Sequence, residues 1–302
     1  MEEASIIVTA ANDLYFSLAS DLIQSLLRFK NTHGRVFDIG ILDVGLTDGQ
    51  REELSAGGFL VKKAGIDIEY RGREAWEKEM PFIRAMTARP FLPNYFPEYK
   101  TYMWLDADTW LQTAEILDEV LPRAAKDDAI YIAAEFDRDY RQLFANAALW
   151  QVHFDWYKAI FPPTTANNMS LRPMLNSGVF AMSNHSPVWN LWRETYSSIL
   201  QNIPTISPNY FMADQLSLNV AVYLNKLPMH ILPTEYNWNS LLRLPSFDKK
   251  KKMYVRPSLP HTVLSVLHLA GDTKAKRHKI PTTDNNEMES LLTYAAYKAL
   301  AS

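Results

Sequence analysis

Short runs of apolar, often β-branched residues alternate along the chain with stretches whose apolar positions recur every three to four residues. That pattern predicts a mostly parallel sheet covered by helices. SIIVT at 5–9 predicts a first strand, and Asn12 or Asp13 caps a helix that carries Leu14, Leu18, Leu22 and Leu26 at four-residue spacing. FDIGILDV at 37–44 predicts a second strand. Thr47 and Gln50 form a capping box for a helix running to about Leu54 and stopped by Gly57 and Gly58. With a third strand at 59–62, the first 65 residues make two β-α-β crossovers, a nucleotide-binding-like half sheet.

Further along, the pattern predicts a helix around 80–92 interrupted by Pro90, strands at 101–105 and 129–136, and a helix at 113–121 between them. The stretch 137–172 reads as loose. A strand at 174–182, helices at 187–200 and 211–224, and strands at 229–232 and 263–269 follow. A C-terminal helix over about 284–302, with its regular part at 286–300, closes the chain. No repeat, low-complexity segment or Gly/Ser-rich linker interrupts this order, so a single domain over 1–302 is expected.

Composition narrows the chemistry. With 47% hydrophobic and 22% charged residues the chain is that of an ordinary folded protein. It has no cysteine, which excludes disulfides, thiolate nucleophiles, Cys-ligated zinc and iron–sulfur clusters. Any chemistry must come from oxygen and imidazole. A net charge of -3 argues against a nucleic-acid partner, which calls for a basic excess. The acidic start MEEAS and the lack of a long apolar run match neither a secretory signal nor a membrane span, so a cytoplasmic protein is expected.

In TYMWLDADTW, Asp106 and Asp108 lie just past the end of a predicted buried strand, the edge where open α/β sheets bind ligands. Two carboxylates on alternate residues of a turning chain can reach one hard cation and leave its other positions to water and phosphate. Spacing alone is not decisive: about one D-x-D is expected by chance in such a chain. A second one, Asp137 and Asp139, also follows a strand, and loop or capping carboxylates would look the same. His268 sits in the apolar run TVLSVLHLAG, where a core histidine is the plainer reading. Gly271 and Lys274 nevertheless follow it, and H-x-x-G-x-x-K supplies what a metal and diphosphate site needs from a second segment.

Taken in order, VTAANDLY, WLDADT, LNSGVFAM, ADQ at 213–215 and HLAGDTK resemble the motifs of glycosyltransferase family 8, retaining transferases of the GT-A fold. The resemblance spans about residues 6–274 and implies an α/β GT-A fold, a single Rossmann-like mixed sheet flanked by helices. It further implies that Asp106, Asp108 and His268 ligate Mn2+, with Mg2+ as the alternative. The imidazole favours a transition metal. Ala10, Asn12 and Tyr15 would line the nucleoside pocket of a UDP-linked nucleotide-sugar donor, and Arg89 and Ala107 would contact that donor. Gly271 and Lys274 would hold its diphosphate, and Asn176, Asp214, Gln215 and Asp137 would face the sugars. The implied activity is metal-dependent, retaining transfer of a hexose to a hydroxyl acceptor on a sugar, glycolipid or glycosylated protein. Two departures stand out: Leu14 where the family has Asn, and Ala275-Lys276 where it has Pro-Trp.

Two other functions compete. A nucleotidyltransferase also uses paired aspartates, but it calls for a Gly-rich or basic loop after the first strand, where this chain has AANDLY. A non-catalytic sugar- or partner-binding relative would be expected to have lost the metal ligands, which are all present here. Lys249, Lys250, Lys251 and Lys252 could dock weakly on an anionic membrane or form a solvated loop. Trp150, Phe154, Trp156 and Tyr157, and likewise Trp238 between Asn237 and Asn239, could face a sugar or pack in the core.

Overall fold

A computed structural model of the protein describes residues 4–30, 32–140, 148–202 and 212–301. The chain opens with β1 (Ser5–Ala11), β2 (Asp38–Asp43), β3 (Leu60–Lys63) and β4 (Thr101–Leu105), all mutually parallel. It then leaves that sheet through Asp106–Asp108 into β5 (Thr109–Leu111) and returns with β6 (Ile130–Ala134), β7 (Leu175–Ser183) and β8 (Met229–Leu232). The completed seven-stranded sheet has the order β3-β2-β1-β4-β7-β6-β8, and β7 runs antiparallel to both neighbours. The sheet is therefore mixed.

Strand alternation explains the two layers of core. Ile6, Val8, Trp104 and Phe180 point to one face, while Ile7, Met103, Leu105 and Val179 point to the other, and both sets are buried. A second sheet, β5-β12-β9, joins β5 to β9 (Trp238–Asn239) and β12 (Val266–His268). The hairpins β10 (Ser246–Asp248) with β11 (Met253–Val255), and β13 (His278–Pro281) with β14 (Glu287–Ser290), pack beside it. Trp110, Trp238, Tyr254 and Leu267 centre a third apolar cluster there.

Several expectations are corrected. The capping box at Thr47 and Gln50 forms, and its helix spans Asp48–Ala56. Asn12, however, caps a short 3-10 turn, Asp13–Tyr15, by accepting from the Tyr15 amide at 3.0 Å, and the regular helix starts only at Phe16–Leu27. Leu14 therefore misses the buried stripe and is 81% exposed. Within the stretch 137–172, expected to be loose, helices Ala148–Ile160 and Pro163–Met169 form, while 141–147 lie outside the described residues. His153, a polar residue at a buried position, broke the apolar period there. The terminal helix is only Tyr294–Ala301, because 287–290 pairs as β14 instead. Phe211, at the start of one predicted helix, lies outside the described residues, and that helix is described as Ala213–Leu224. The lysine run forms the β10–β11 turn, with Lys249 Nζ 3.0 Å from Asp284 and Lys252 Nζ 3.3 Å from the Ala301 carbonyl. Among the described residues no helix is long and apolar enough to cross a membrane.

Gly40 on β2 shows how tightly one face is filled. A Cβ there would lie 2.8 Å from Phe96 Cζ and 2.9 Å from Ile6 Cδ1. Gly40→Val is expected to lower stability by about 1–3 kcal/mol through overpacking, read as a lower urea midpoint at unchanged slope.

Candidate functional site

The site forms where the two sheets meet. β4 ends at Leu105, and the Asp106 amide extends the sheet by donating to the Gly178 carbonyl at 2.8 Å. The turn that follows carries both carboxylates. β12 then pairs antiparallel with β5 so that His268 stands opposite Thr109, next to Asp108, and the Leu269 amide donates to the Asp108 carbonyl at 2.8 Å. This one register brings together residues about 160 positions apart.

The His268 Nε2 lies 3.5 Å from Asp108 Oδ1 and 3.9 Å from Asp106 Oδ2. Ligand atoms of Asp106, Asp108 and His268 all fall within 4.8 Å of one another, as one small cation requires. The imidazole is oriented from behind: its Nδ1 is 2.9 Å from Asn237 Oδ1, an atom that can only accept, so Nδ1 carries the proton and Nε2 keeps its lone pair for the carboxylate side. Asn237 Nδ2 donates to Asn176 Oδ1 at 2.9 Å, and Asn176 Nδ2 donates to Glu135 Oε1 at 2.5 Å. Each amide in this relay has one compatible orientation once the next partner is fixed. The donor set suits a cation that accepts nitrogen as well as oxygen.

Gly178 is required by the same geometry. A Cβ on it would lie 2.5 Å from His268 Cε1, 2.8 Å from Asp106 Oδ2 and 2.9 Å from Asn176 Oδ1.

Two cations balance the carboxylates. Arg89, buried against the Trp104 ring at 5.0 Å, pairs with Asp106 and Asp214 at once and donates to Ser177 Oγ at 3.0 Å. Burial works against the Arg89 charge, but Asp106 and Asp214 outweigh it and raise the pKa of the guanidinium above its ordinary value. Burial raises the Asp214 carboxyl, with Arg89 opposing it. Lys274 Nζ pairs with Asp108 Oδ2 at 2.6 Å and sits 4.8 Å from the centre of the Tyr15 ring; burial opposes its charge and Asp108 sustains it, with a net upward shift.

These groups open into a cavity of about 380 Å³. It is lined by Ala10, Asn12, Tyr15, Arg89, Asp106, Ala107, Asp108, Asn176, Asp214, Gln215, His268, Gly271 and Lys274. Every residue predicted for the site is in that wall except Asp137. Asp137 is turned away: its carboxylate pairs with Arg256 and accepts from Thr234 Oγ1 at 2.6 Å, while Asp139 is 3.0 Å from the same arginine. The second D-x-D is thus a structural ion-pair network. The carboxyl that does reach the cavity from the end of β6 is Glu135, two residues earlier, and burial raises its pKa. Glu135 and Gly178 were both missed, although the strand-end position of the first and the LNSG motif of the second were available signals.

The aromatic candidates divide. Trp156 and His153 line the cavity, whereas Tyr157 and Trp238 are core residues. Asn239 is in the wall and Asn237 stands behind His268. Burial pushes the His153 imidazole down to about 4.

Comparison with protein-family models and with curated proteins finds no match. Solved structures do match. The apo structure of the bifunctional glycosyltransferase WbbM shares 13% identity at a TM-score of 0.55, over 100% of this chain and 50% of that one. The present chain thus spans half the length of that protein. A galactosyltransferase, LgtC, solved with donor and acceptor sugar analogues, shares 16% identity at a TM-score of 0.53, over 98% of this chain and 95% of that one. Mouse xyloside xylosyltransferase 1, apo, shares 15% identity at a TM-score of 0.51, over 88% of this chain and 97% of that one. At such identities the likeness establishes the fold, and the mixed sheet flanked by helices is a GT-A fold.

Two outcomes follow from the geometry. Asn237→Leu removes the acceptor behind His268, so a divalent cation held by Asp106, Asp108 and His268, probed with Mn2+, is expected to bind about 10- to 100-fold more weakly in calorimetric titration, with the fold retained by circular dichroism. His153 takes up its proton only near pH 4 when folded, against 6.5 for the ordinary imidazole. The unfolded chain therefore binds the extra proton first, and stability is lost as pH falls from about 6.5 through about 4. In urea titrations over that range, His153→Phe is expected to show a shallower loss than the parent protein.

Proposed function

We propose that the protein is a metal-dependent glycosyltransferase that moves a hexose from a UDP-sugar to a hydroxyl acceptor with retention of anomeric configuration. The observation that carries this reading is the Asp106, Asp108 and His268 cluster, with Lys274 beside it, at the end of β4 in a GT-A cavity. The chain is read as one domain because that cavity takes walls from both the large and the small sheet.

Asp106, Asp108 and His268 would hold Mn2+, which when bound supplies Lewis-acid stabilisation to the leaving diphosphate. Lys274 is placed to add a second positive charge to the same oxygens, and the Gly271 turn lets backbone approach them. Ala10, Asn12 and Tyr15 form the end suited to a nucleoside. Asp214 is held in place by Arg89 and Ser177 at the sugar end. A carboxylate so committed is better suited to stabilising an oxocarbenium-like sugar than to forming a bond with it, which favours same-face attack guided by the leaving phosphate. Gln215 and Asn176 would orient sugar hydroxyls, with Glu135 beneath them.

The test is release of UDP from a panel of UDP-hexoses in the presence of Mn2+. Release is expected with at least one donor, and replacing both Asp106 and Asp108 by Asn should reduce it at least about 100-fold. Metal-dependent release that survives the double substitution would overturn the assignment.

A further inference from the structure

The cavity wall is of two kinds. Strand ends and turns supply the metal-site carboxylates, Lys274 and His268, while helix faces supply most of the apolar surface. Leu149, His153 and Trp156 fall at four- and three-residue spacing on one stripe of the helix Ala148–Ile160, and all three line the cavity. Phe82, Ala85 and Met86, at and just inside the start of the helix Ile83–Ala88, line it one turn before Arg89. Hydrogen-bonding side chains on these two stripes are limited to the imidazole of His153 and the indole N–H of Trp156.

Both are unspent. His153 is 5% exposed, and among the described residues neither of its ring nitrogens has a hydrogen-bond partner. Neither nitrogen is sealed from the cavity, in contrast to the unpaired hydroxyls of Thr9 and Thr101. Burial alone lowers its pKa, with no neighbouring charge acting on it, so the ring stands apart from the carboxylates and is neutral near pH 7. The indoles of Trp104, Trp110, Trp189 and Trp192 each donate to a protein oxygen, whereas among the described residues the half-buried Trp156 indole has no such acceptor. The two rings lean on each other, centroids 5.3 Å apart and 31° from parallel. Packing alone does not account for the imidazole, because an unpartnered polar ring in such a place costs free energy that Phe would not.

We infer that the His153–Trp156 stripe is a subsite for a neutral sugar ring of the acceptor. One nitrogen of a neutral imidazole donates and the other accepts, so His153 can pair with a hydroxyl in either sense. Trp156 adds a donor and, with Phe82 and Met86, apolar surface for the C–H face of the ring. A phosphate or carboxylate would meet no free countercharge on these stripes, so the subsite selects uncharged acceptors. Calling the occupant the acceptor rests on the transferase reading above; binding of a neutral sugar at His153 does not.

The experiment measures binding of the methyl glycosides of glucose, galactose and xylose, with methyl glucuronide as the charged comparison, by saturation-transfer NMR on the full chain, with and without UDP and Mn2+. At least one neutral glycoside is expected to bind, and the glucuronide about tenfold more weakly. His153→Phe keeps the ring without its nitrogens and is expected to weaken that glycoside about tenfold. His153→Gln, which keeps a donor and an acceptor, should retain most of the affinity. The inference is overturned if no neutral glycoside binds in either state, if the glucuronide binds equally well, if His153→Phe binds like the parent protein, or if both variants lose binding equally. Saturating UDP with Mn2+ is expected to leave the glycoside bound, and its displacement would put the subsite on the donor's side and overturn the assignment. Failure of UDP itself to bind, with the glycoside still lost in His153→Phe, would count against the transferase reading and leave the sugar subsite standing.

Discussion

The arrangement depends on holding the carboxyl groups of Asp106, Asp108 and Asp214 close together where the sheet ends. Like charges so placed repel, and each pays to leave water. Arg89 resolves this for two of them by bridging Asp106 and Asp214, and Lys274 does so for Asp108. The two cations come from different segments, Arg89 from shortly before β4 and Lys274 from 166 residues beyond Asp108. The carboxylates are therefore held in place only by the complete fold, and a group that takes over part of that balancing at the carboxylates meets a site already shaped for positive charge.

Much of this was legible in the sequence because it rests on local rules. Strand-end carboxylates follow from the apolar run TYMWL and the turn after it, and H-x-x-G-x-x-K marked the other half. The limits are as informative. Asp137 and Glu135 are two residues apart after the same strand, and only tertiary partners separate them: Arg256, more than a hundred residues away, claims the first, while Asn176 holds the second in the cavity. Gly178 looked like one more strand residue, because the crowding that demands it comes from His268 and Asp106 on other elements. The helix Ala148–Ile160 was hidden by His153, whose burial serves the cavity wall and breaks the apolar period.

Asp106 and Asp108 follow a strand of one sheet and His268 ends a strand of the other, so their spacing depends on what holds the sheets together. β5 is the hinge of the design: it continues from β4 within three residues and pairs with β12. The C-terminal helix secures it from outside. Tyr297 stacks on Trp110 of β5 at 4.8 Å, Trp110 Nε1 donates to the Leu292 carbonyl at 2.8 Å, and Ala295 and Lys298 reach Asp21 and Gln24 on the helix after β1. The chain's last helix thus clamps its first onto the strand beside the carboxylates. The cation site proposed for these three side chains calls for such support, since a binding constellation works only when it is held to within about 0.5 Å. The length of the chain beyond Lys274 has in that clamp a physical role in keeping the His268 imidazole against the two aspartates.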